Sequence, residues 1–139
     1  MLTSRSLSVV IACYRDAGSV RECYRRLTEV LSEVTDDYEI IYVNDASPDD
    51  AEAILRELAD SDVRVVVVNH TRNFGSQNAF LSGMAVSRGD GVVLMDGDLQ
   101  DPPEIISGLV AKWLEGYPIV YGIRTRRMES AFRNAAYRL

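Results

Sequence analysis

The chain has 139 residues, a length that fits one domain with a hydrophobic core of reasonable size. Hydrophobic residues make up 47% and charged residues 26%, as in ordinary soluble domains, and no apolar run reaches the roughly 18–20 residues of a membrane helix. The net charge is −6, although residues 121–139 carry five arginines against one glutamate. The acidic body argues against general nucleic-acid binding, whereas the basic tail could contact the phosphates of a nucleotide or of a membrane surface.

Apolar runs alternate with helical patterns along the chain, which indicates βαβ units, an α/β fold and a parallel sheet. Strands are predicted at 7–13, 38–44, 63–69, 91–95 and 118–123, and helices at about 19–34, 48–60, 77–87, 103–115 and from 129 onward. The third strand is nearly all valine, so we expect it to be buried on both faces. The last helix reaches Leu139 without a cap or a breaker, so the single domain, residues 1–139, is predicted to be truncated at its C-terminus.

The fourth predicted strand ends in a group of acidic residues. Asp96 and Asp98 are separated by one glycine, and alternate residues of a strand share a face, so both can point at one cation. Gln100 is a neutral oxygen ligand within reach. Because these ligands are all oxygens, Mg²⁺ or Mn²⁺ fits better than Zn²⁺, and such an ion would bridge two phosphates and neutralise a leaving diphosphate. The alternative is that Asp98 or Asp101 merely caps the next helix.

Polar residues also follow the other three strands, and right-handed crossovers would gather all four loops over one crevice. Tyr14 would stack on a nucleobase or pack against the sheet, and Asp16 would hold a ribose hydroxyl or cap the first helix. Asp45 would accept hydrogen bonds from a base or ribose, or cap the following turn. Arg72 would reach a diphosphate or shape its own loop. His70 is interpreted as a satisfied surface histidine rather than a catalytic base.

These motifs resemble glycosyltransferase family 2, in particular its polyprenyl-phosphate branch, the relatives of dolichol-phosphate mannose synthase. Four runs carry the resemblance, which extends from about Leu7 to the end of the chain: Ala12–Asp16, Asn44–Ser47, Arg72–Gly75 and Asp96–Glu104. The last two runs, Arg-Asn-Phe-Gly and Asp-x-Asp-Leu-Gln-x-Pro-Pro-Glu, match the branch in full. Ala12, Asn44 and Ala46 depart from it, since the family has proline, an acid and glycine at these positions.

The resemblance implies a Rossmann-like nucleotide-diphospho-sugar transferase fold of the glycosyltransferase A type, with a mostly parallel sheet flanked by helices. It implies a metal-dependent enzyme that moves a sugar from a UDP- or GDP-sugar to an acceptor, with a polyprenyl phosphate as the expected acceptor. Three groups of residues would serve this reaction: Asp96, Asp98 and Gln100 as ligands of Mg²⁺ or Mn²⁺, with Asp96 and Asp98 catalytic through the ion; Tyr14, Asp16, Asp45, Arg72 and Asp96 at the nucleotide; and Arg124 and Arg126 at the acceptor phosphate.

The same resemblance implies a place in cell-envelope glycan biosynthesis at the cytoplasmic face of a membrane, contacted by a C-terminal part beyond this chain. A homo-oligomer is compatible with the sequence. Two alternatives stay open: a non-catalytic nucleotide-binding module in this truncated form, and a family 2 enzyme that acts on a saccharide acceptor. An aspartate-nucleophile phosphatase is disfavoured, because such enzymes carry their paired aspartates after the first strand.

Overall fold

The structure is a computed structural model that describes residues 2–123. Within these residues four parallel strands form one sheet in the order β3-β2-β1-β4. The elements follow in the order β1 Leu7–Cys13, α1 Ala17–Val34, β2 Tyr38–Asn44, α2 Ala51–Ser61, β3 Val65–Asn69, α3 Ser76–Val86, β4 Gly91–Asp96 and α4 Ile105–Leu114. The predicted α/β class, with a parallel sheet between helices, is confirmed.

The two central strands, β1 and β2, are buried along their whole length. Side chains alternate between the faces, so Leu7, Val9 and Ile11 pack with α1, α2 and α4, whereas Val10 and Ala12 pack under α3. The helix α3 approaches the sheet closely at Gly83, where an added Cβ would collide with the side chain of Val10. This two-sided burial explains why both strands read as continuous apolar runs.

The predicted third strand and second helix both begin later than expected. The strand β3 begins at Val65 and forms an edge of the sheet, so Val65 is buried but the other valines of β3 are only half-buried, and Val63 before the strand is 98% exposed. The expectation of burial on both faces was wrong, because a valine run does not reveal whether a strand lies at the centre or at the edge. The helix α2 begins at Ala51 rather than at Pro48, because Asp49 accepts a hydrogen bond from the Ala51 N–H and shapes a turn before it.

The predicted fifth strand, residues 118–123, is not a strand. Ile119 and Tyr121 are 82% and 76% exposed, and the segment pairs with no strand among residues 2–123. An apolar run becomes a strand only where a neighbour completes its backbone hydrogen bonds. The predicted helix from Glu129 lies outside the described residues. None of the helices formed by residues 2–123 is long and apolar enough to span a bilayer.

Candidate nucleotide-binding site

A cleft of about 310 Å³ opens at the carboxyl ends of the strands. The chain proceeds from β1 outward to β2 and β3, then returns to the other side of β1 to form β4. The gap between β1 and β4 is therefore a topological switch point, which is where open parallel sheets bind ligands. Ten residues line the cleft: Ala12, Cys13, Tyr14, Asp16, Asp45, Asn73, Gly75, Ser76, Asp96 and Asp98.

Gly97 fixes the position of the two aspartates that flank it. Its N–H donates to the Ala12 carbonyl at 2.9 Å, so the pairing of β4 with β1 continues past Asp96. An added Cβ at Gly97 would lie 3.1 Å from the Ala12 oxygen and 3.3 Å from Asp16 Oδ2, so the residue between the aspartates is held tightly against β1. Asp96 and Asp98 consequently enter the same cleft as Asp16.

Asp16 lies in an unfavourable electrostatic environment. Burial raises the pKa of its carboxyl group, and the nearby Asp98, Asp96 and Asp49 raise it further, against the opposing effect of the Tyr14 N–H donor. Asp16 is the N-cap residue of α1, but its side chain accepts from the Tyr14 N–H at 3.2 Å and forms no hydrogen bond to the helix. A carboxylate that repels its neighbours in a cleft, instead of capping its helix, favours a bound cation.

Asp45 lines the cleft but is 3% exposed, because the loop after β3 folds over it. Oδ1 accepts from His70 Nδ1 and from the Phe74 N–H, both at 2.8 Å, and Oδ2 accepts from the Gly75 N–H at 2.9 Å. Burial tends to raise the pKa of Asp45, but the Phe74, His70 and Gly75 donors together hold this pKa below its usual value. Of the roughly four acceptor positions of a carboxylate, about one is left for a ligand.

Each loop that follows a strand contains one residue with left-handed backbone geometry. These residues are Arg15, Ala46, Gly75 and Leu99, with φ of 58°, 55°, 91° and 61°. Such geometry strains any residue except glycine and is typical of functional loops. The φ of 55° at Ala46 explains why the family that this chain resembles has glycine at this position, since glycine adopts such a φ without strain. Ser47 Oγ accepts from the Arg15 N–H at 2.7 Å, which joins the loops after β1 and β2.

The remaining predicted site residues lie in different places. Tyr14 lines the cleft and is 37% exposed, whereas Gln100 and Arg72 do not line it. The Gln100 N–H donates to Asp98 Oδ1 at 3.0 Å, and the Arg72 guanidinium stacks 4.4 Å from the centre of the Phe74 ring. Arg124 and Arg126 lie outside the described residues.

Both ring nitrogens of His70 have hydrogen-bond partners, as expected of a satisfied histidine, but its side chain is only 11% exposed, so the expected place at the surface was wrong. Its second nitrogen, Nε2, lies 2.8 Å from Ser82 Oγ on α3. Sequence reasoning did not find Ser82, because a single serine within a helix gives no signal. Ser76 also lines the cleft as the first residue of α3, one position before the predicted start of that helix at residue 77.

The model of glycosyl transferase family 2 matches residues 8–138 of this chain. The chain belongs to this family. It is 42% identical over 125 residues to the uncharacterized glycosyltransferase YkcC of Bacillus subtilis, covering 90% of this chain and 39% of that protein. It is 40% identical over 134 residues to an undecaprenyl-phosphate 4-deoxy-4-formamido-L-arabinose transferase of Enterobacter, covering 96% of this chain and 41% of that protein.

Solved structures support the glycosyltransferase A-type fold. The mannosyltransferase PcManGT of Pyrobaculum calidifontis, in complex with GDP-Man and Mn²⁺, superposes with a TM-score of 0.67 at 22% identity, covering 92% of this chain and 37% of that one. The chain thus spans about two-fifths of the length of the proteins that it matches. The family resemblance stated from the motifs is confirmed.

Proposed function

We propose that this chain is the donor-binding part of a metal-dependent glycosyltransferase that moves a sugar from a UDP- or GDP-sugar to a polyprenyl phosphate. The observation that carries this proposal is the convergence of Asp16, Asp96 and Asp98 on one cleft at the switch point of the sheet. Membership of family 2 supports the reaction class, and the bacterial relative named for undecaprenyl phosphate supports the acceptor class.

A divalent cation fits this cleft. A diphosphate bound beside the carboxylates of Asp96 and Asp98 requires a positive charge between them, because negative groups in close contact repel each other strongly. Cys13 also lines the cleft, but burial and then Asp16 and Asp49 raise the pKa of its thiol to about 12, so it stays protonated and is a poor metal ligand. The carboxylate oxygens that remain suit Mg²⁺ or Mn²⁺.

Asp96, Asp98 and Gln100 are the proposed ligands. Among residues 2–123, no group of three or more His, Cys, Asp or Glu side chains is arranged to hold a metal ion by itself. Mg²⁺ typically takes only one or two carboxylates from the protein and completes its shell with substrate phosphates and water. When bound, the ion would neutralise charge on the departing diphosphate.

The cleft wall supplies contacts for the nucleotide. Tyr14 is partly exposed in the cleft, so a base would stack on its ring, and Asp16 would accept a hydrogen bond from a ribose hydroxyl. Asp45 retains about one acceptor position for the base, because its other positions are used by the loop after β3. Arg72 would reach the diphosphate by leaving its stack on Phe74.

The acceptor chemistry agrees with the residues of the cleft. A lipid phosphate is already anionic at neutral pH, so its oxygen can attack the anomeric carbon while the bond from that carbon to the diphosphate breaks. This displacement needs no protein base, and no histidine is among the described residues that line the cleft. Arg124 and Arg126 would approach the acceptor phosphate, at the cytoplasmic face of a membrane.

Calorimetry of UDP and GDP with and without Mn²⁺ tests the donor site. We expect one nucleotide to bind in a Mn²⁺-dependent manner, and Asp98→Ala to weaken that binding by about 10-fold or more, as the loss of a metal ligand does. Asp60→Ala, a change of the same charge at an exposed position of α2, should leave the affinity unchanged. If neither nucleotide binds, or if Asp98→Ala behaves like Asp60→Ala, the proposal is wrong.

Turnover separates the proposal from its alternatives. Transfer from the bound nucleotide sugar to a polyprenyl phosphate by the 139-residue chain would exclude a non-catalytic module. Transfer to a saccharide, with none to the lipid phosphate, would instead identify a family 2 enzyme that acts on a saccharide acceptor.

A further inference from the structure

His70 lies between a carboxylate and a hydroxyl group. Its Nδ1 is 2.8 Å from Asp45 Oδ1, and its Nε2 is 2.8 Å from Ser82 Oγ. Because an ionised carboxylate can only accept, Nδ1 carries a proton and donates it to Asp45. Nε2 and the Ser82 hydroxyl form the second hydrogen bond of the ring. The three side chains are thus joined in one hydrogen-bond chain that links Ser82 through His70 to Asp45.

This hydrogen-bond chain ends at the wall of the cleft. Asp45 also accepts from the backbone N–H groups of Phe74 and Gly75, and the Phe74 ring meets the His70 ring edge-on, with centroids 5.3 Å apart at 87°. Asn73 and Gly75 line the cleft. The hydrogen-bond chain is therefore anchored on α3 through Ser82. At its other end, Asp45 holds residues 72–75, which we call the wall segment.

The order serine, histidine, aspartate is also that of a nucleophilic triad. Ser82, however, lies in the middle of α3 and is not among the described residues that line the cleft. A nucleophile must reach the substrate, so this arrangement favours a positioning role over a catalytic one.

We infer that His70 is a positioning residue: the Ser82–His70–Asp45 chain fixes the wall segment against the cleft and thereby sets the affinity for the donor nucleotide. The identity of the ligand as a donor nucleotide rests on the proposed function, whereas the effect of His70 on the wall segment does not. Removing the imidazole takes one of two donors from Asp45 Oδ1 and the edge contact from Phe74. The wall segment would then sample other conformations.

Amide hydrogen exchange by NMR tests the effect on the wall segment without any ligand. We expect exchange at the Phe74 and Gly75 amides to rise about 3- to 10-fold in Ser82→Ala and more than about 10-fold in His70→Ala, in line with the loss of one or two hydrogen bonds. Ser87→Ala is the matched control, because Ser87 Oγ donates only to the Met84 carbonyl at the end of α3. His70 is the only histidine, so its imidazole signals identify themselves, and they should report a proton on Nδ1 that is hydrogen-bonded to Asp45.

A conservative replacement separates positioning from general stability. His70→Asn keeps an N–H donor for Asp45, so it should restore most of the protection at Phe74 and Gly75. The dissociation constant for UDP or GDP with Mn²⁺ should follow the same order, rising about 10-fold in His70→Ala and about 3-fold or less in His70→Asn. If His70→Ala does not fold, Ser82→Ala and His70→Asn decide the matter.

Equal exchange at Phe74 and Gly75 in the wild type and in the Ser82 and His70 variants would overturn the inference. Faster exchange with an unchanged dissociation constant would overturn the link to the nucleotide. If the wild type binds neither nucleotide, the proposed function fails, whereas the exchange rates still decide whether His70 holds the wall segment.

Discussion

Carboxylates lie at both ends of the parallel strands in different surroundings, and we call these ends the amino edge and the carboxyl edge. At the amino edge, Glu39 accepts from Ser8 Oγ at 2.7 Å and from the Arg88 N–H at 2.8 Å, and the Arg88 guanidinium lies 3.3 Å away. At the carboxyl edge, four aspartates line the cleft, and none of the ten described lining residues is lysine or arginine. The fold thus supplies a cation to the structural carboxylate Glu39, and we propose that a bound divalent ion supplies one to the aspartates of the cleft.

The pKa values differ in the same sense. Burial tends to raise the pKa of Glu39, but Ser8 and Arg88 together hold it below its usual value. The pKa of Asp16 is raised by burial and by the neighbouring Asp98 and Asp96. The ionised form is therefore stabilised at Glu39 and destabilised at Asp16, whereas Asp45, also in the cleft, is stabilised by the donors of the loop after β3.

The largest effect should come from Glu39→Ala at the amino edge. This change leaves the buried Ser8 hydroxyl without its acceptor and removes the nearer of the two acceptors of the Arg88 N–H, so we expect a loss of about 3 kcal/mol in the free energy of unfolding, measured in urea. Glu57→Ala removes a carboxylate from an exposed pair with Arg21 and should cost less than about 1 kcal/mol. Equal losses of stability in Glu39→Ala and Glu57→Ala would mean that Ser8 and Arg88 do not stabilise the Glu39 carboxylate as described.

An intermediate effect is expected at Gly97 in the cleft. Gly97→Ala places a methyl group against the Ala12 oxygen and Asp16 Oδ2, which should cost about 1–2 kcal/mol in the free energy of unfolding and weaken Mn²⁺-dependent nucleotide binding. Gly108→Ala is the control, because nothing lies within 4 Å of its added Cβ on α4. That change should stabilise the protein by about 0.5–1 kcal/mol. Stabilisation by both changes would show that the cleft accommodates a side chain between the aspartates.

The sequence predicts the central part of this fold better than its edges. The bounds of β1 and β2 agree with the prediction, because both strands are buried runs that end in polar residues. Residues 118–123 and Val63 were misassigned, since their structure depends on neighbours that an apolar pattern does not specify. The gathering of Asp16, Asp45, Asp96 and Asp98 in one cleft follows from parallel topology, and the strand ends alone were enough to predict it.

The hydrogen-bond partners within the site could not be predicted in this way. Asp45 was expected to face a ligand, but the loop after β3 folds back and uses most of its acceptor positions. Ser82 reaches His70 only because α3 returns across the sheet, which brings together side chains 12 residues apart. Such pairings depend on how a loop and a helix pack in three dimensions, and no local pattern in the sequence encodes them.

The smallest effect is the pH dependence that Asp16 confers. Without metal, Asp16→Asn should stabilise the protein at pH 7 by less than about 1 kcal/mol. The change removes a half-buried charge and its repulsion by Asp98 and Asp96, while the amide oxygen still accepts a hydrogen bond from the Tyr14 N–H. The folded-state pKa lies above 3.8, so wild-type stability rises as the pH falls through that pKa, and the advantage of the variant disappears near pH 3.8. Thermal unfolding from neutral to acidic pH measures this.

Glu39 should give a pH dependence of stability opposite in sign to that of Asp16 in the same experiment. Its folded-state pKa lies below 4.5, so its contribution is present above pH 4.5 and is lost as the pH falls through the folded value. Mn²⁺ should narrow the gap in Tm between the wild type and Asp16→Asn at pH 7, because the ion compensates the same repulsion. Asp60→Asn should show neither effect. If Asp16→Asn instead lowers the Tm at pH 7, Asp16 is stabilised as Glu39 is, and the contrast between the two edges no longer supports a cation site.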